Sequence, residues 1–116
     1  MERFQQQSIL RDLQKKMVIL SGPRQAGKTT LAKAISKQFT SSMYLNYDNS
    51  EDRRILFKEA WPSSVELLIF DEIHKMPKWK NYLKGVYDTK PEFQKILVTG
   101  SARLEVFKQV GDSLAG

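Results

Sequence analysis

Cysteine is absent from the 116 residues, and histidine occurs once, at His74. These scarcities exclude disulfides, thiol catalysis, cysteine-based zinc sites and a histidine-rich metal centre. No apolar run approaches the ~20 residues of a membrane-spanning helix. The opening segment MERFQQQSILRDLQKK has no continuous apolar stretch of signal-peptide type. No internal repeat, low-complexity segment or long linker interrupts the chain. A protein of the cytoplasm, without a membrane partner, is the expectation.

Hydrophobic residues make up 41% and charged residues 28%, enough apolar material for one modest core in one domain spanning 1–116. The net charge of +6 is unevenly placed. Residues 1–40 carry eight basic and two acidic side chains, residues 41–72 three and seven, and residues 73–116 eight and four. Such a balance suits an anionic partner, a nucleotide, nucleic acid or anionic surface, and equally suits a solvated basic surface.

Four short apolar runs have strand length: MVILS (17–21), MYLNY (43–47), VELLIF (65–70) and KILVT (95–99). Three are nearly continuous, as in strands buried on both faces. Their starts lie 22 to 30 residues apart, which leaves room for the crossovers that parallel neighbours require. The segments between them carry helical periodicity. Residues 28–39 align Leu31, Ile35 and Phe39 on one stripe. Residues 50–60 open at Ser50 as the expected N-cap, with Glu51 and Asp52 in the first turn and Trp61-Pro62 as the stop. Residues 78–88 align Trp79, Tyr82, Leu83, Val86 and Tyr87, with Lys78, Lys80 and Lys84 on other faces. A leading helix over 3–16 would turn Ile9, Leu10 and Leu13 inward, and a last helix is expected over 102–110. The fold class predicted is a three-layer α/β domain with a parallel sheet.

The first run leads into Gly22-Pro23-Arg24-Gln25-Ala26-Gly27-Lys28-Thr29, a full match to G-x-x-x-x-G-K-[ST], the Walker A pattern. A triphosphate needs many donors at close range. Glycines let successive backbone N–H groups point inward, and the following helix adds its unpaired N-terminal N–H groups and dipole. Lys28 would reach the β- and γ-phosphates, and the Thr29 hydroxyl would ligate Mg²⁺. Thr30 completes the expected nucleotide-binding segment. Arg24 either touches phosphate or anchors the loop to Asp48.

The third run ends in Ile69-Phe70-Asp71-Glu72. A carboxylate at the carboxyl end of a buried parallel strand sits where open α/β sheets bind ligands. Asp71 is the expected second Mg²⁺ contact, the Walker B position. Glu72 is the expected catalytic residue that polarises the attacking water. The fourth run ends in Val98-Thr99-Gly100-Ser101, where Thr99 or Ser101 would sense the γ-phosphate, or simply end a strand in a turn.

GPRQAGKTTL, YLNYDN with EDR, IFDEIHKMPKWKNYLKGVYD, ILVTGSARL and the closing SLAG together resemble a group of predicted AAA-superfamily ATPases of bacteria and archaea. The resemblance runs from Met17 onward. It implies a Walker A to sensor-strand unit over 17–99, a C-terminal helix and tail over 100–116, and ATP with Mg²⁺ at the site. It also implies a strand order 5-1-4-3-2, so that a chain stopping at Gly116 would lack the fifth strand and leave the first at an edge. Family members usually continue through an arginine into a further domain, so weak hydrolysis, self-association or a missing C-terminal domain is expected here. Ala102 stands where the family tends to serine.

Lesser features have plainer readings. His74 is expected in a surface loop, and Trp79 in the core. The cluster Lys75, Lys78, Lys80, Lys84 lacks the interleaved aromatics of a single-strand platform, so nucleic-acid contact is not favoured. Three functions stay open: a Mg²⁺-dependent ATPase, a nucleotide-binding module without turnover, and a nucleotide-switched nucleic-acid-associated protein.

Overall fold

The computed structural model describes residues 2–20 and 28–100. Chain order is α1 (Glu2–Leu13), β1 (Val18–Leu20), α2 (Lys28–Ser36), β2 (Ser42–Asn46), α3 (Ser50–Lys58), β3 (Leu67–Asp71), a 3₁₀ turn (Ile73–Lys75), α4 (Trp79–Thr89) and β4 (Lys95–Thr99). The four strands form one parallel sheet in the order β1-β4-β3-β2. This is the expected α/β architecture. The expected helix over 102–110 lies outside the described residues. Among those residues, β1 stands at one edge of the sheet.

Period-two alternation sorts the core into two layers. Leu67, Ile69, Leu97 and Val18 share one face with Ile9 and Leu13 of α1 and with Ala32 and Ile35 of α2. Leu68, Phe70, Ile96, Val98 and Leu45 turn to the other face, against Leu56 of α3 and Leu83 and Val86 of α4. β3 and β4 are covered on both faces, which explains their unbroken apolar runs. β2, the other edge strand, alternates and leaves Tyr44 39% exposed.

Several boundaries differ from the sequence reading. α3 is capped by Asn49 and not by Ser50: the Asn49 carboxamide oxygen accepts from the Asp52 N–H at 2.9 Å. The same helix stops at Lys58, ahead of Pro62, because Glu59 turns left-handed at φ 49° and its cap N–H groups close on Ile55 and Leu56. α2 ends at Ser36 and α1 at Leu13. Local turn bonds, not apolar periodicity, decide these ends: Gln38 N–H reaches Ile35 O at 3.0 Å, and Lys15 N–H reaches Asp12 O at 2.9 Å.

Removing the fully buried Leu68 side chain should cost about 2–5 kcal/mol, as Leu→Ala in close-packed cores does. Phe93→Ala, at a position 52% exposed, should stay within about 0.5 kcal/mol of the parent. Urea unfolding midpoints of the two variants check both statements. At Glu59, glycine should stabilise the fold by up to about 1 kcal/mol, read as a higher midpoint, because the left-handed turn then carries no Cβ strain.

Candidate nucleotide site

Register places one row of residues across the carboxyl ends of the strands. Leu20 pairs with Thr99, Thr99 with Asp71, and Asp71 with Asn46. The row continues past the strands: Gly100 N–H reaches Leu20 O at 3.2 Å, Glu72 N–H reaches Thr99 O at 3.0 Å, and Tyr47 N–H reaches Asp71 O at 2.9 Å. Asp71 and Thr99 alternate in step with Ile69 and Leu97, so they lie on the face that α2 covers. β1 ends at Leu20 and α2 begins at Lys28. Gly22, Pro23, Arg24, Gln25, Ala26, Gly27 and Ser101 lie outside the described residues. Lys28, Thr29 and Thr30 occupy the first turn of α2, where both threonines are exposed. Thr99 is buried, 2% exposed.

The carboxylates at this edge are already engaged. The Tyr44 hydroxyl donates a short hydrogen bond to Asp71 Oδ2. Burial, then that hydrogen bond and the charge of Asp71, raises the Tyr44 phenol well above the ordinary tyrosine range. Glu72 adopts φ 57°, left-handed for a residue with a Cβ. Such strain concentrates at functional sites. Its Oε1 stands 3.6 Å from His74 Nε2 and 3.5 Å from Lys75 Nζ. Lys75 Nζ also donates to both Asp48 oxygens, at 2.9 and 3.0 Å. The hydrogen bond to Asp48 raises the Lys75 ammonium above its usual range, against a smaller desolvation.

Asp48 is itself held. Its N–H reaches Asn46 Oδ1 at 2.8 Å, and the Arg53 guanidinium bonds Tyr47 O at 2.9 Å while stacking 5.0 Å over the Tyr47 ring. Its charged partner among the described residues is thus Lys75.

One residue differs from its sequence reading. His74 is not a surface residue: its side chain is 5% exposed, turned under the 3₁₀ turn toward Glu72. The turn itself, Ile73–Lys75, escapes helical or strand periodicity because it is only three residues long. Tyr44 was not singled out, although alternation along SMYLN puts it on the face of Asn46, the residue opposite Asp71. Trp79 does pack against the core, half-buried. In the lysine cluster, Lys75 and Lys84 are committed to carboxylates, Lys84 to Asp88 at 2.7 Å.

Asp71 and Thr29 offer hard oxygen donors, the type Mg²⁺ takes, and one Asp71 oxygen lies outside the Tyr44 bond. No cluster of three or more His, Cys, Asp or Glu suited to a metal occurs among the described residues. A cation held by phosphates, waters and one or two protein oxygens does not need such a cluster.

A parallel sheet in the order β1-β4-β3-β2, with α2 next in the chain after β1, matches a P-loop NTPase-like fold. The chain belongs to the AAA domain family, whose model matches residues 14–116. Uncharacterized proteins of Mycobacterium bovis and Mycobacterium tuberculosis are each 30% identical over 102 residues, 86% of this chain and 23% of the relative. The chain therefore spans about a quarter of the length of these curated relatives. Membership of the family supports nucleotide binding. No helix among the described residues is long and apolar enough to cross a membrane.

The raised Tyr44 and Tyr82 phenols fix a pH dependence. Both lie well above the ordinary value of 10.0, Tyr82 through burial first and the charge of Glu59 second. Above about pH 10 the unfolded chain releases these protons while the native chain keeps them. Their contribution is therefore complete below that pH and is lost as pH rises toward the folded values. Stability should fall between about pH 10 and 11. In Tyr44→Phe that slope should be shallower, as read by urea midpoints across the range.

Proposed function

We propose that this chain is a Mg²⁺-dependent ATP-binding domain that hydrolyses the γ-phosphate slowly on its own. The observation that carries the reading is the register of Leu20, Thr99 and Asp71 at one sheet edge, directly before the helix that begins at Lys28. That edge is where an open parallel sheet binds its ligand, and the full G-x-x-x-x-G-K-[ST] match leads into it.

In this reading the amides of Gly22–Gly27 and the start of α2 cradle the phosphates, and Lys28 offsets the γ-phosphate charge. Thr29 and Asp71 would hold Mg²⁺, which would supply charge neutralisation to the phosphates. Glu72 orients the attacking water and takes its proton. Thr99 or Ser101 senses the γ-phosphate. Glu72 must leave Lys75 to act, so that ion pair favours slow basal turnover. An arginine supplied by a second protein would raise the rate, as it does by ~10³-fold or more in related NTPases. The same ion pair favours the second reading, a nucleotide-binding module without turnover. The reading also places the domain inside a longer protein of the cytoplasm.

Titration calorimetry of the full chain with Mg-ATP, followed by phosphate release, tests these statements. Lys28→Ala should lose most Mg-ATP affinity while its far-ultraviolet spectrum stays unchanged. Equal affinity in the two proteins would exclude the phosphate-loop role. Glu72→Gln should still bind ATP, with turnover reduced ~10²-fold or more. Binding without turnover in the parent would establish the second reading.

A further inference from the structure

At the opposite end of the sheet lies a cleft of about 210 Å³ that the nucleotide reading does not use. It opens between the turn after α1, the end of α4 and the start of β4. Lys15, Lys16, Lys90 and Lys95 line it, with Tyr87 and a single acidic residue, Glu92. Lys95 and Thr99 are the two ends of β4, so about 13 Å of strand separates the cleft from the nucleotide edge.

Lysines usually stand in water, fully exposed. Here Lys16, Lys90 and Lys95 are half-buried, and no ion pair to any of the four lysines forms among the described residues. Glu92 lines the cleft without closing on an ammonium. The convergence is fixed by the backbone: the Tyr87 hydroxyl donates to Lys15 O at 3.3 Å, and buried Gln94 anchors the loop through Val65 O at 2.9 Å. Burial, then neighbouring Lys95, lowers the Lys90 ammonium below the usual lysine range. Like charges gathered in a half-closed space are costly alone, and an anion between them removes that cost.

We infer that the cleft of Lys15, Lys16, Lys90 and Lys95 is a second anion site, taking a phosphoryl group at the end of the domain remote from the nucleotide. Four ammonium groups against one carboxylate match a multiply charged phosphoryl group better than a single carboxylate. The cleft does not stack bases, because Lys90 Nζ already sits 5.0 Å over the Tyr87 ring. The occupant is therefore recognised by phosphate alone. A small phosphate or pyrophosphate and the sugar–phosphate backbone of a nucleic acid carry the same group.

The test uses the full chain, labelled with ¹⁵N, titrated with pyrophosphate and then with a short single-stranded oligonucleotide. Amide shifts at residues 15–16 and 87–96 should move together with one saturating affinity, apart from any shifts around Lys28. In Lys90→Ala/Lys95→Ala that affinity should fall about tenfold or more, since two charge-assisted hydrogen bonds are lost. Lys78→Ala/Lys80→Ala removes the same charge elsewhere and should change it less than about twofold. An oligonucleotide that displaces pyrophosphate from these amides identifies the backbone as occupant, and one that does not identifies a small phosphate. Absence of shifts at these amides in the parent, or equal weakening in both double variants, overturns the inference. The Lys28 amides report the nucleotide edge separately, so failure of one site is distinguishable from failure of the other.

Discussion

Parallel pairing of β3 between β2 and β4 is the constraint on which the molecule depends. Among the described residues it is the one strand bonded along its full length on both sides. Leu67, Leu68, Ile69 and Phe70 are all at most 2% exposed, so both faces and both edges of that strand are covered. A one-residue slip would exchange the faces and present Asp71 to the wrong helix layer. The hydrophobic burial that fixes the register therefore also fixes which oxygen-bearing residues emerge at the carboxyl edge. Stability and site geometry share one cause.

Just beyond that rigid strand the backbone changes character. Glu72 turns left-handed, the chain makes a three-residue 3₁₀ turn, and Lys78 turns left-handed again before α4 starts. Two strained positions within seven residues are tolerated because Ile73, His74 and Met76 anchor the segment by burial. The charged tips of Glu72, Lys75 and Asp48 form a chain from β3 to the loop after β2. That loop is pinned by Asn46, Asp52 and Arg53. A carboxylate so held is an acceptor with partners already in place, and any ligand that recruits it must compete with an ammonium 3.5 Å away.

Much of this was legible from residue pattern alone. KILVT gave β4 its bounds without error, because a fully buried strand has no amphipathic ambiguity at its ends. The stripe from Trp79 to Tyr87 located α4 to within one residue at each end. Of the candidate site, Asp71 and Thr99 do meet at one edge, since parallel neighbours of equal length must end together. What escaped the sequence depends on side chains that reach across strands or back along a turn. Tyr44 bonds Asp71 across 27 positions, and nothing local to SMYLN encodes that partner. His74 was expected in a surface loop, yet it falls in the 3₁₀ turn Ile73–Lys75 with its side chain buried beside Glu72. Asn49 displaced Ser50 as the cap by one position, within the error that capping chemistry allows when two good caps are adjacent.

The polarity of a parallel sheet separates two electrostatic environments along one short axis. At the carboxyl edge, Asp71 and Glu72 stand at the end of β3, and Asp48 in the loop after β2 joins them through Lys75. At the amino edge, the turn after α1 and the loop before β4 contribute Lys15, Lys16, Lys90 and Lys95. The middle of the chain, residues 41–72, is acidic, and both flanks are basic. β3 delivers Asp71 at its finish, with Glu72 next, while β1 and β4 are entered through lysines. Strand direction thus sets acidic residues at the finish of β3 and lysines at the entries of β1 and β4.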